Sequence, residues 1–281
     1  MRLSLPLEFK TFFGGERIFE NVFKTQGKVF REHKNRKTLL FQKDGKGFFL
    51  KIHRGIGIRE VIKSLTSFRL PVISIMNEVK AVHVISGIGI DTMRIVGYGV
   101  RGIPPAWMES FLITEELVNT VSLETFCKTW KEDPPDFKLK LAIIKKVAEI
   151  TRSMHRSGIN HRDLYICHFL LDLNSIKDDL NLLKIYLIDL HRVQIRKKVP
   201  ERWIIKDLSG LLFSSIDIGL SRRDLFRFMK LYSDKPLRSI FKNELGFWMR
   251  VYKKAISLYK RHSDAFADLE FYWQRGLKDD V

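Results

Sequence analysis

The nine residues Asn160–His168 hold the highest concentration of chemically active side chains in the sequence: Asn-His-Arg-Asp-Leu-Tyr-Ile-Cys-His. The segment follows a predicted long helix and leads directly into a predicted strand. A carboxylate at such a junction can reach a substrate without disturbing the core, so Asp163 can take the proton of a hydroxyl nucleophile. An isolated His-Arg-Asp triplet is more often only a polar turn. Whether this segment is catalytic therefore depends on the residues found elsewhere in the chain.

The triplet matches the catalytic-loop signature of protein kinases, in which the Asp contacts the hydroxyl group that receives phosphate. In that signature a metal-binding Asn stands five residues after the Asp, and here the position holds His168. Mg²⁺ prefers oxygen ligands to imidazole. We therefore expect His168 either to bind the metal less favourably than Asn would or to contact a phosphate.

Lys51 and Glu78 fit the pair of charged residues with which kinases hold ATP. Lys51 stands in the apolar stretch Phe48–Ile52, which predicts a third strand, and a Lys there contacts the α- and β-phosphates. The alternative is a solvent-facing Lys at a sheet edge. Glu78 lies in a predicted helix with an apolar inward face, so it is the preferred ion-pair partner; Glu60, in an earlier predicted helix, is the competing candidate.

Asp189 lies 26 residues after Asp163, at the end of a predicted strand and in the sequence Asp-Leu-His-Arg. Kinases carry Asp-Phe-Gly at this place, and its Asp binds the Mg²⁺ that bridges the β- and γ-phosphates. The Phe and the Gly are missing here, so nothing in the sequence indicates a segment that flips. The simpler alternative is an Asp that caps the end of a strand.

The nucleotide site has no visible glycine-rich cover, because the first predicted turn reads Lys34-Asn35-Arg36-Lys37. Arg36 or Lys37 can contact phosphate instead, although a solvated run of charges is the more common explanation. We expect the adenine to lie against the backbone of Glu115–Leu117, which joins the two predicted lobes.

The elements that position these residues change in kind near residue 115. The first ~115 residues predict short strands with one or two helices, and the remainder predicts helices around a small β-pair. Ile143, Val147, Ile150 and Met154 give one clear helical stripe, which Gly158 ends. The predicted strands are Lys28–His33, Thr38–Gln42, Phe48–His53, Met93–Tyr98, Ser110–Thr114, Phe169–Leu173 and Leu183–Leu190, and the predicted early helices are Ile58–Phe68 and Ile75–Ser86.

These patterns predict an α+β fold with two lobes. Residues 1–115 form a β-rich, nucleotide-binding N-lobe, and residues 116–281 form a mainly helical C-lobe that carries the catalytic loop and the metal-binding segment. Asp207, at the start of a later helix, is expected to support the catalytic-loop backbone.

The composition fits a folded protein with an anionic partner. The 281 residues include 50 Lys and Arg against 32 Asp and Glu, a net charge of +18, yet 45% are hydrophobic, so the charge does not indicate disorder. Two Cys residues disfavour a disulfide-framed secreted domain. The N-terminus shows no signal-peptide pattern, and no stretch approaches the ~20 apolar residues of a membrane-spanning helix.

Several longer stretches resemble one kinase family. They are Leu50–Gly55, Ile90–Met93, Phe111–Leu117, Gly158–Leu171, Tyr186–Arg192, Arg202–Leu208 and Phe213–Leu220. Together they resemble the lipopolysaccharide core heptose kinases of Gram-negative bacteria, from about Pro6 to Leu237, and the Tyr-x-Cys-His after Asp163 is the most specific part. The residue before Tyr165 is Leu164, where the family commonly has Cys.

The resemblance implies a protein-kinase-like fold, ATP and Mg²⁺ as cofactors, and O4 of the first inner-core heptose as the phosphate acceptor. It implies catalytic roles for Lys51, Glu78 and Asp163, a metal-binding role for Asp189, and a family-wide His at position 168. It also implies an association with acyl carrier protein and a place in the cytoplasm at the inner face of the inner membrane.

Arg192, Arg196 and Arg162 are candidate substrate residues, because they flank the metal-binding and catalytic segments and because core lipopolysaccharide carries anionic sugars. Other basic runs are more often solvated faces. Three alternatives to the heptose kinase remain open: a kinase for another small hydroxyl substrate, a basic pseudokinase scaffold, and a nucleic-acid-binding protein. No helix-turn-helix, zinc or RNP signature supports the last of these.

Overall fold

A computed structural model describes residues 1–33, 35–55, 75–102, 107–177 and 179–262. The chain divides into two compact units, Met1–Thr120 with Tyr186–Gln194, and Val121–Ile185 with Ile195–Val281. The predicted helix Ile58–Phe68, with the competing candidate Glu60, lies outside the described residues.

The first unit is built on a six-stranded antiparallel sheet. Its order is β1-β5-β6-β4-β3-β2. The strands are β1 (Arg2–Ser4), β2 (Lys28–His33), β3 (Arg36–Lys43), β4 (Lys46–His53), β5 (Ile95–Arg101) and β6 (Glu109–Glu115). Asp44 and Gly45 turn β3 into β4 with φ of 51° and 74°, the left-handed geometry of a tight hairpin.

Two short helices that the sequence did not predict cover one face of this sheet. Helices α1 (Leu7–Phe12) and α2 (Ile18–Lys24) contribute buried aromatic side chains to a core cluster of the unit. Their runs of apolar and charged residues are too short to give a clear helical period, so packing against the sheet decides their structure. The shared core includes Phe9, Phe13, Phe19, Phe41, Phe48 and Phe111.

The opposite face of the sheet packs against helix α3 (Met76–Gly87), which the sequence predicted at Ile75–Ser86. Side chains alternate between the two faces of a strand. Phe111 and Ile113 of β6 therefore join the first cluster, whereas Leu112 packs with Val79 of α3. This second face is the one that carries the charged residues described below.

The second unit is mainly helical, as predicted. Its helices are α4 (Leu123–Phe126), α5 (Phe137–Arg156), α6 (Glu201–Ser214), α7 (Arg222–Ser233), α8 (Leu237–Asn243) and α9 (Leu245–His262). Asp136 caps α5 by accepting a hydrogen bond from the Lys138 N–H, and the predicted stripe of Ile143, Val147, Ile150 and Met154 is buried.

Five short strands follow the six-stranded sheet along the described part of the chain. They are β7 (Thr120–Ser122), β8 (Ile159–Asn160), β9 (Phe169–Asp172), β10 (Ile185–Leu187) and β11 (Gln194–Ile195). No helix among the described residues is long and apolar enough to cross a membrane.

Candidate active site

Lys51 occupies an interior position of the sheet, not an edge. It lies in the middle of β4, opposite Thr38 on one side and Leu112 on the other. Its neighbours Leu50 and Ile52 are buried in the phenylalanine-rich core, so the Lys51 side chain emerges on the α3 face. This placement removes the alternative of a solvent-facing edge Lys.

Lys51 and Glu78 form an ion pair on that face. The Lys51 Nζ lies 2.5 Å from Oε1 of Glu78, whose side chain is 1% exposed in the first turn of α3. Burial of the ammonium lowers the pKa of Lys51, but attraction to Glu78 and Asp189, with the hydrogen bond to Glu78, raises it above its ordinary value. Lys51 is therefore held positively charged, as the binding of a phosphate requires.

Arg36 lies on the same face of the sheet as Lys51. The sequence placed Arg36 in a turn, but it is the first residue of β3, opposite His53 of β4. Burial, reinforced by Arg31, lowers the Arg36 pKa. Burial, together with repulsion by Arg36, Lys51 and His191, lowers the pKa of His53 to about 3, so this imidazole is neutral.

Asp189 lies near Lys51 on a separate segment of the first unit. It follows β10 in a left-handed conformation, with φ 61° and ψ 49°, and its Oδ1 lies 2.6 Å from Nδ1 of His191. It is close enough to Lys51 for its charge to raise the Lys51 pKa. The first unit therefore brings together Lys51, Glu78 and Asp189.

Asn77 ties the Asp189 segment to α3. Its side-chain amide donates to the backbone carbonyls of His191 and Val193 over 2.9 and 3.0 Å. Upstream of Asp189, Leu187 is held as well, because its N–H donates to the Asp91 carbonyl and its carbonyl accepts from Thr92 Oγ1. No sequence pattern predicted a role for Asn77, although its position beside Glu78 was a possible signal. Arg192 lies half-buried in the turn that follows Asp189.

The backbone of Glu115–Leu117 is partly engaged in the sheet. The Glu115 N–H donates to the Arg94 carbonyl, and the Glu116 N–H donates to the Gly47 carbonyl. The Leu117 carbonyl accepts from Thr120 Oγ1 over 2.7 Å. Glu115 itself ends β6, with its carboxylate 3.5 Å from Arg94 Nη1.

In the second unit, Asp207 fixes the start of the predicted catalytic loop. Its fully buried carboxylate accepts from the backbone N–H groups of His161 and Arg162 over 2.6 and 2.7 Å. His155 Nε2 lies 3.3 Å from the same carboxylate. Arg162 has φ 75°, a costly conformation for a residue with a side chain, and these bonds to Asp207 stabilise it. The supporting role predicted for Asp207 is what the structure shows.

Gly158 allows the chain to enter this loop. Its φ is 77°, and a Cβ atom there would lie 1.9 Å from the Arg196 carbonyl oxygen. Its own carbonyl accepts from the Arg196 N–H over 2.8 Å. The sequence assigned Gly158 only the role of a helix stop, but it also brings Arg196 close to the catalytic loop.

Asp163 and His168 are joined through the loop backbone. The Nδ1 of His168 lies 2.8 Å from the Asp163 carbonyl oxygen, which can only accept, so Nδ1 carries the hydrogen. In a neutral imidazole the lone pair is then on Nε2. The Asp163 carboxylate, 17% exposed, has its Oδ1 3.6 Å from Nζ of Lys206 on α6. No sequence pattern predicted a role for Lys206, because it lies on a different element from Asp163.

Four cationic side chains surround the ring of Trp203 in α6. Their charged centres lie 5.1, 5.9, 5.5 and 5.8 Å from the ring centroid, for Arg162, Arg196, Arg202 and Lys206 respectively. Arg196 also donates from Nη1 to Asn160 Oδ1 over 2.6 Å. The second unit thus brings together two of the three candidate substrate residues, Arg162 and Arg196.

The second unit also contains an apolar cavity of about 170 Å³ between its helices. Its lining includes Cys127, Trp130, Ile144, Val147, Leu211 and Trp248. Burial raises the pKa of the Cys127 thiol to about 12, against a smaller opposite effect of Lys140, so the thiol is neutral. No pattern in the sequence distinguished these residues from ordinary core.

Comparison with known proteins identifies a family over most of the chain. The sequence model of the "Lipopolysaccharide kinase (Kdo/WaaP) family" matches residues 20–232. A lipopolysaccharide core heptose(I) kinase WaaP of Escherichia coli is 48% identical over 260 residues, 92% of this chain and 97% of the relative. The protein of the same name in Pseudomonas aeruginosa is 47% identical over 263 residues, 93% of this chain and 97% of the relative.

A solved structure supports the same grouping. It is described as WaaP in complex with acyl carrier protein, is 43% identical, and superposes with a TM-score of 0.76. The match covers 92% of this chain and 100% of the other. The predicted kinase-like fold is confirmed by this similarity.

Proposed function

Since the chain belongs to the lipopolysaccharide kinase (Kdo/WaaP) family, we propose that it is a lipopolysaccharide core heptose(I) kinase that transfers the γ-phosphoryl group of ATP to O4 of the first heptose. The geometric observation that carries the proposal is the ion pair of Lys51 and Glu78. The buried carboxylate of Glu78 orients Lys51, and a second carboxylate, Asp189, lies close to the same Lys. A protein that only binds partners does not need this arrangement.

The first unit is the nucleotide-binding lobe in this proposal. Lys51, oriented by Glu78, contacts the α- and β-phosphates. Arg36 is the second candidate for a phosphate contact, because it lies on the same face of the sheet as Lys51. The N–H groups of Glu115 and Glu116 are already used in the sheet, so the adenine would be recognised by the Glu115 carbonyl and the Leu117 N–H.

The chemistry of the Asp189 carboxylate fits a divalent cation. Mg²⁺ is commonly bound by one or two carboxylates together with substrate phosphates. In the first unit, Asp189 supplies such a carboxylate. In the second unit, the hydrogen bond of His168 Nδ1 to the Asp163 carbonyl makes Nε2 the ring atom with the lone pair. When bound, the cation would offset the negative charge of the β- and γ-phosphates.

The second unit is the catalytic lobe. Asp163 accepts a hydrogen bond from the heptose hydroxyl, orients it, and takes its proton as the bond to phosphorus forms. Asp207 holds the loop backbone on which Asp163 stands. Arg162, Arg196 and Arg192 are proposed to contact the acceptor.

The test uses labelled ATP and core lipopolysaccharide that lacks heptose phosphate. Asp163→Asn keeps the shape of the side chain but removes the base, so phosphate transfer should fall by roughly 10²–10⁴-fold. Asp133→Asn is the matched control, because Asp133 is exposed in the second unit. Near-wild-type transfer by Asp163→Asn, with the same melting temperature, would reject the mechanism.

A panel of acceptors separates this proposal from its nearest alternative. A kinase for another small hydroxyl substrate would phosphorylate free sugars or amino alcohols faster than the core lipopolysaccharide. A pseudokinase scaffold would show no ATP turnover with any acceptor in the panel.

We also propose acyl carrier protein as a partner. The solved relative is described as a complex with it, and the net charge of +18 would attract an acidic protein. The apolar cavity of the second unit has the chemistry to hold an acyl chain. Acylated carrier protein should therefore bind more tightly than the unacylated form in a titration, and equal affinities would reject the use of the cavity.

The location proposed for the enzyme is the cytoplasmic face of the inner membrane. The exposed basic residues of α9, including Lys253, Lys254 and Lys260, are suited to an anionic lipid surface. Sedimentation with vesicles containing phosphatidylglycerol, compared with phosphatidylcholine alone, tests this location.

A further inference from the structure

An exposed aromatic ring lies on the same face of the first-unit sheet as Lys51. Phe30, in β2, is 55% exposed, and its ring contacts the ring of Phe49, in β4. The two ring centroids are 5.2 Å apart, and the ring planes meet at 62°. Phe49 stands two residues before Lys51 on the same strand, so both side chains leave β4 on one face. We call Phe30 and Phe49 the aromatic corner.

A β-bulge in β2 accompanies this contact. The pairing of β2 with β3 shifts between Val29 and Arg31, so Phe30 is the extra residue of the bulge. In the sheet, β2 and β4 lie on either side of β3, so about 10 Å separates their backbones. The rings of Phe30 and Phe49 therefore reach across β3 to meet. Bulges are frequent beside active sites, where they redirect side chains.

The aromatic corner lies beside both groups that are proposed to bind the nucleotide. Phe49 is paired with Thr114 of β6, the residue before Glu115, whose carbonyl is proposed to meet the adenine. Along β4, Phe49 and Lys51 are about 7 Å apart, a separation that a ribose can span. A nucleotide with its phosphates at Lys51 and the edge of its base at Glu115 therefore places the flat face of the base at Phe49.

Two rings at a steep angle suit a flat aromatic ligand. The ligand can stack on the face of one ring while the other ring meets it edge-on, and aromatic pairs favour both arrangements. Stacking tolerates many ligands, because every base has a π-face, whatever donors and acceptors its edge carries. A bound base would also remove apolar surface of the exposed Phe30 from water.

We propose that the aromatic corner stacks on the base of the nucleotide and makes the protein prefer purines to pyrimidines, since a purine offers the larger surface for stacking. The proposal rests on the function proposed above and adds Phe30 and Phe49 as specificity-determining residues for the phosphate donor. The backbone of Glu115 and Leu117 then recognises the edge of the base, and the aromatic corner recognises its face.

The test measures the Kd values of ATP, CTP and tripolyphosphate for the full-length chain by titration calorimetry at one fixed Mg²⁺ concentration. Tripolyphosphate carries the charges without a base, so the ratio of its Kd to that of ATP isolates the contribution of the base. Phe30→Leu keeps an apolar side chain but removes the ring. The ATP Kd should rise on the order of tenfold, the CTP Kd should rise less, and the tripolyphosphate Kd should change by less than about twofold.

Two further variants separate stacking from other effects. Phe30→Trp supplies a larger ring and should bind ATP at least as tightly as wild type. Phe137→Leu is the matched control, because Phe137 of α5 is also 55% exposed. Each of the two Phe rings also has a cation near it, with Lys28 Nζ 5.2 Å from the Phe30 centroid and the Arg227 guanidinium 4.9 Å from that of Phe137. Phe137→Leu should leave all three Kd values unchanged.

Several results would overturn the proposal. One is an unchanged ATP Kd in Phe30→Leu, and another is an equal rise for ATP and tripolyphosphate, because the ring would then make no contact with the base. ATP binding by Phe30→Trp as weak as that of Phe30→Leu would also reject stacking. Wild-type protein that binds ATP no more tightly than tripolyphosphate has no base subsite at all.

Failure of the proposed function is a separate result. Wild-type protein that shows the ring-dependent preference for ATP but phosphorylates no core lipopolysaccharide would reject the proposed acceptor and support the aromatic corner. Wild-type protein that phosphorylates core lipopolysaccharide, with Phe30→Leu equal to it in ATP and CTP affinity, would support the function and reject the aromatic corner.

Discussion

Asn77 and Val193 are joined by a hydrogen bond of 3.0 Å from the side-chain amide to the backbone carbonyl. The same amide donates to the His191 carbonyl, so one residue of α3 holds two carbonyls of the segment that follows Asp189. The next residue along α3 is Glu78, which pairs with Lys51. One helix turn therefore fixes both Lys51 and the segment that follows Asp189.

Replacing Asn77 should weaken catalysis without unfolding the protein. Asn77→Ala removes the donor for two carbonyls, a loss of about 1–2 kcal/mol in holding the segment, so kcat/KM should fall on the order of tenfold. A larger Mg²⁺ concentration should be needed for half-maximal rate. Asn243→Ala in α8 is the control, and an unchanged Mg²⁺ dependence of Asn77→Ala would contradict the role given to this contact.

Removing the charge of Glu78 should affect the rate more than nucleotide affinity. Glu78→Gln keeps the side-chain volume but removes the attraction that raises the pKa of Lys51. Lys51 is then less well oriented and less firmly charged, so kcat should fall by at least about tenfold. Rapid-quench measurement of a single turnover separates this step from product release. Glu124→Gln, an exposed position in α4, provides the comparison.

His53 should make the stability of the protein sensitive to acid. Its pKa in the folded state is about 3, against 6.5 for an ordinary His, so the unfolded chain binds the proton more readily between these values. The free energy of unfolding should therefore fall as the pH drops below about 6.5, by up to about 1.4 kcal/mol per pH unit. Below about pH 3 this effect levels off, because both states are then protonated.

His53→Gln should remove that slope. Urea unfolding at pH 7 and pH 5 gives the change in stability for wild type and variant, and the two changes should differ by about 2 kcal/mol. His83→Gln is the matched control, because His83 is exposed on α3. Parallel pH profiles for wild type and His53→Gln would show that His53 is not the group responsible.

Gly158 should tolerate no side chain. In Gly158→Ala the new methyl group would meet the Arg196 carbonyl at 1.9 Å, and the left-handed φ of 77° adds strain. The free energy of unfolding should fall by more than about 2 kcal/mol, and activity should fall with it because the catalytic loop begins here. Gly87→Ala, where nothing lies within 4 Å of the new atom, should cost little or stabilise α3.

The sequence predicted those site residues whose neighbours are close in the chain. Asp163 and His168 belong to one loop, and the strand around Lys51 has a clear apolar pattern. Glu78 was predictable because α3 has an inward apolar face. In each case a local hydrophobic period or a fixed spacing in the sequence made the residue's position predictable.

The residues that the sequence analysis missed depend on distant contacts. Lys206 meets Asp163 only because α6 returns to the catalytic loop, and the four cations around Trp203 come from three separate segments. The neutral state of His53 depends on burial and on charges from other strands and turns. Helices α1 and α2 were missed for a related reason, because tertiary packing and not local pattern makes them helical.

The two hydrogen bonds of Asn77 also bear on the search for inhibitors. A compound that needs the Asp189 turn displaced must first break both bonds, which lowers its affinity by the same free energy that holds the turn. Compounds that bind with the turn in its present position do not have to break these hydrogen bonds, so their affinity is not lowered in this way. Screening libraries rich in the second type is therefore the better strategy.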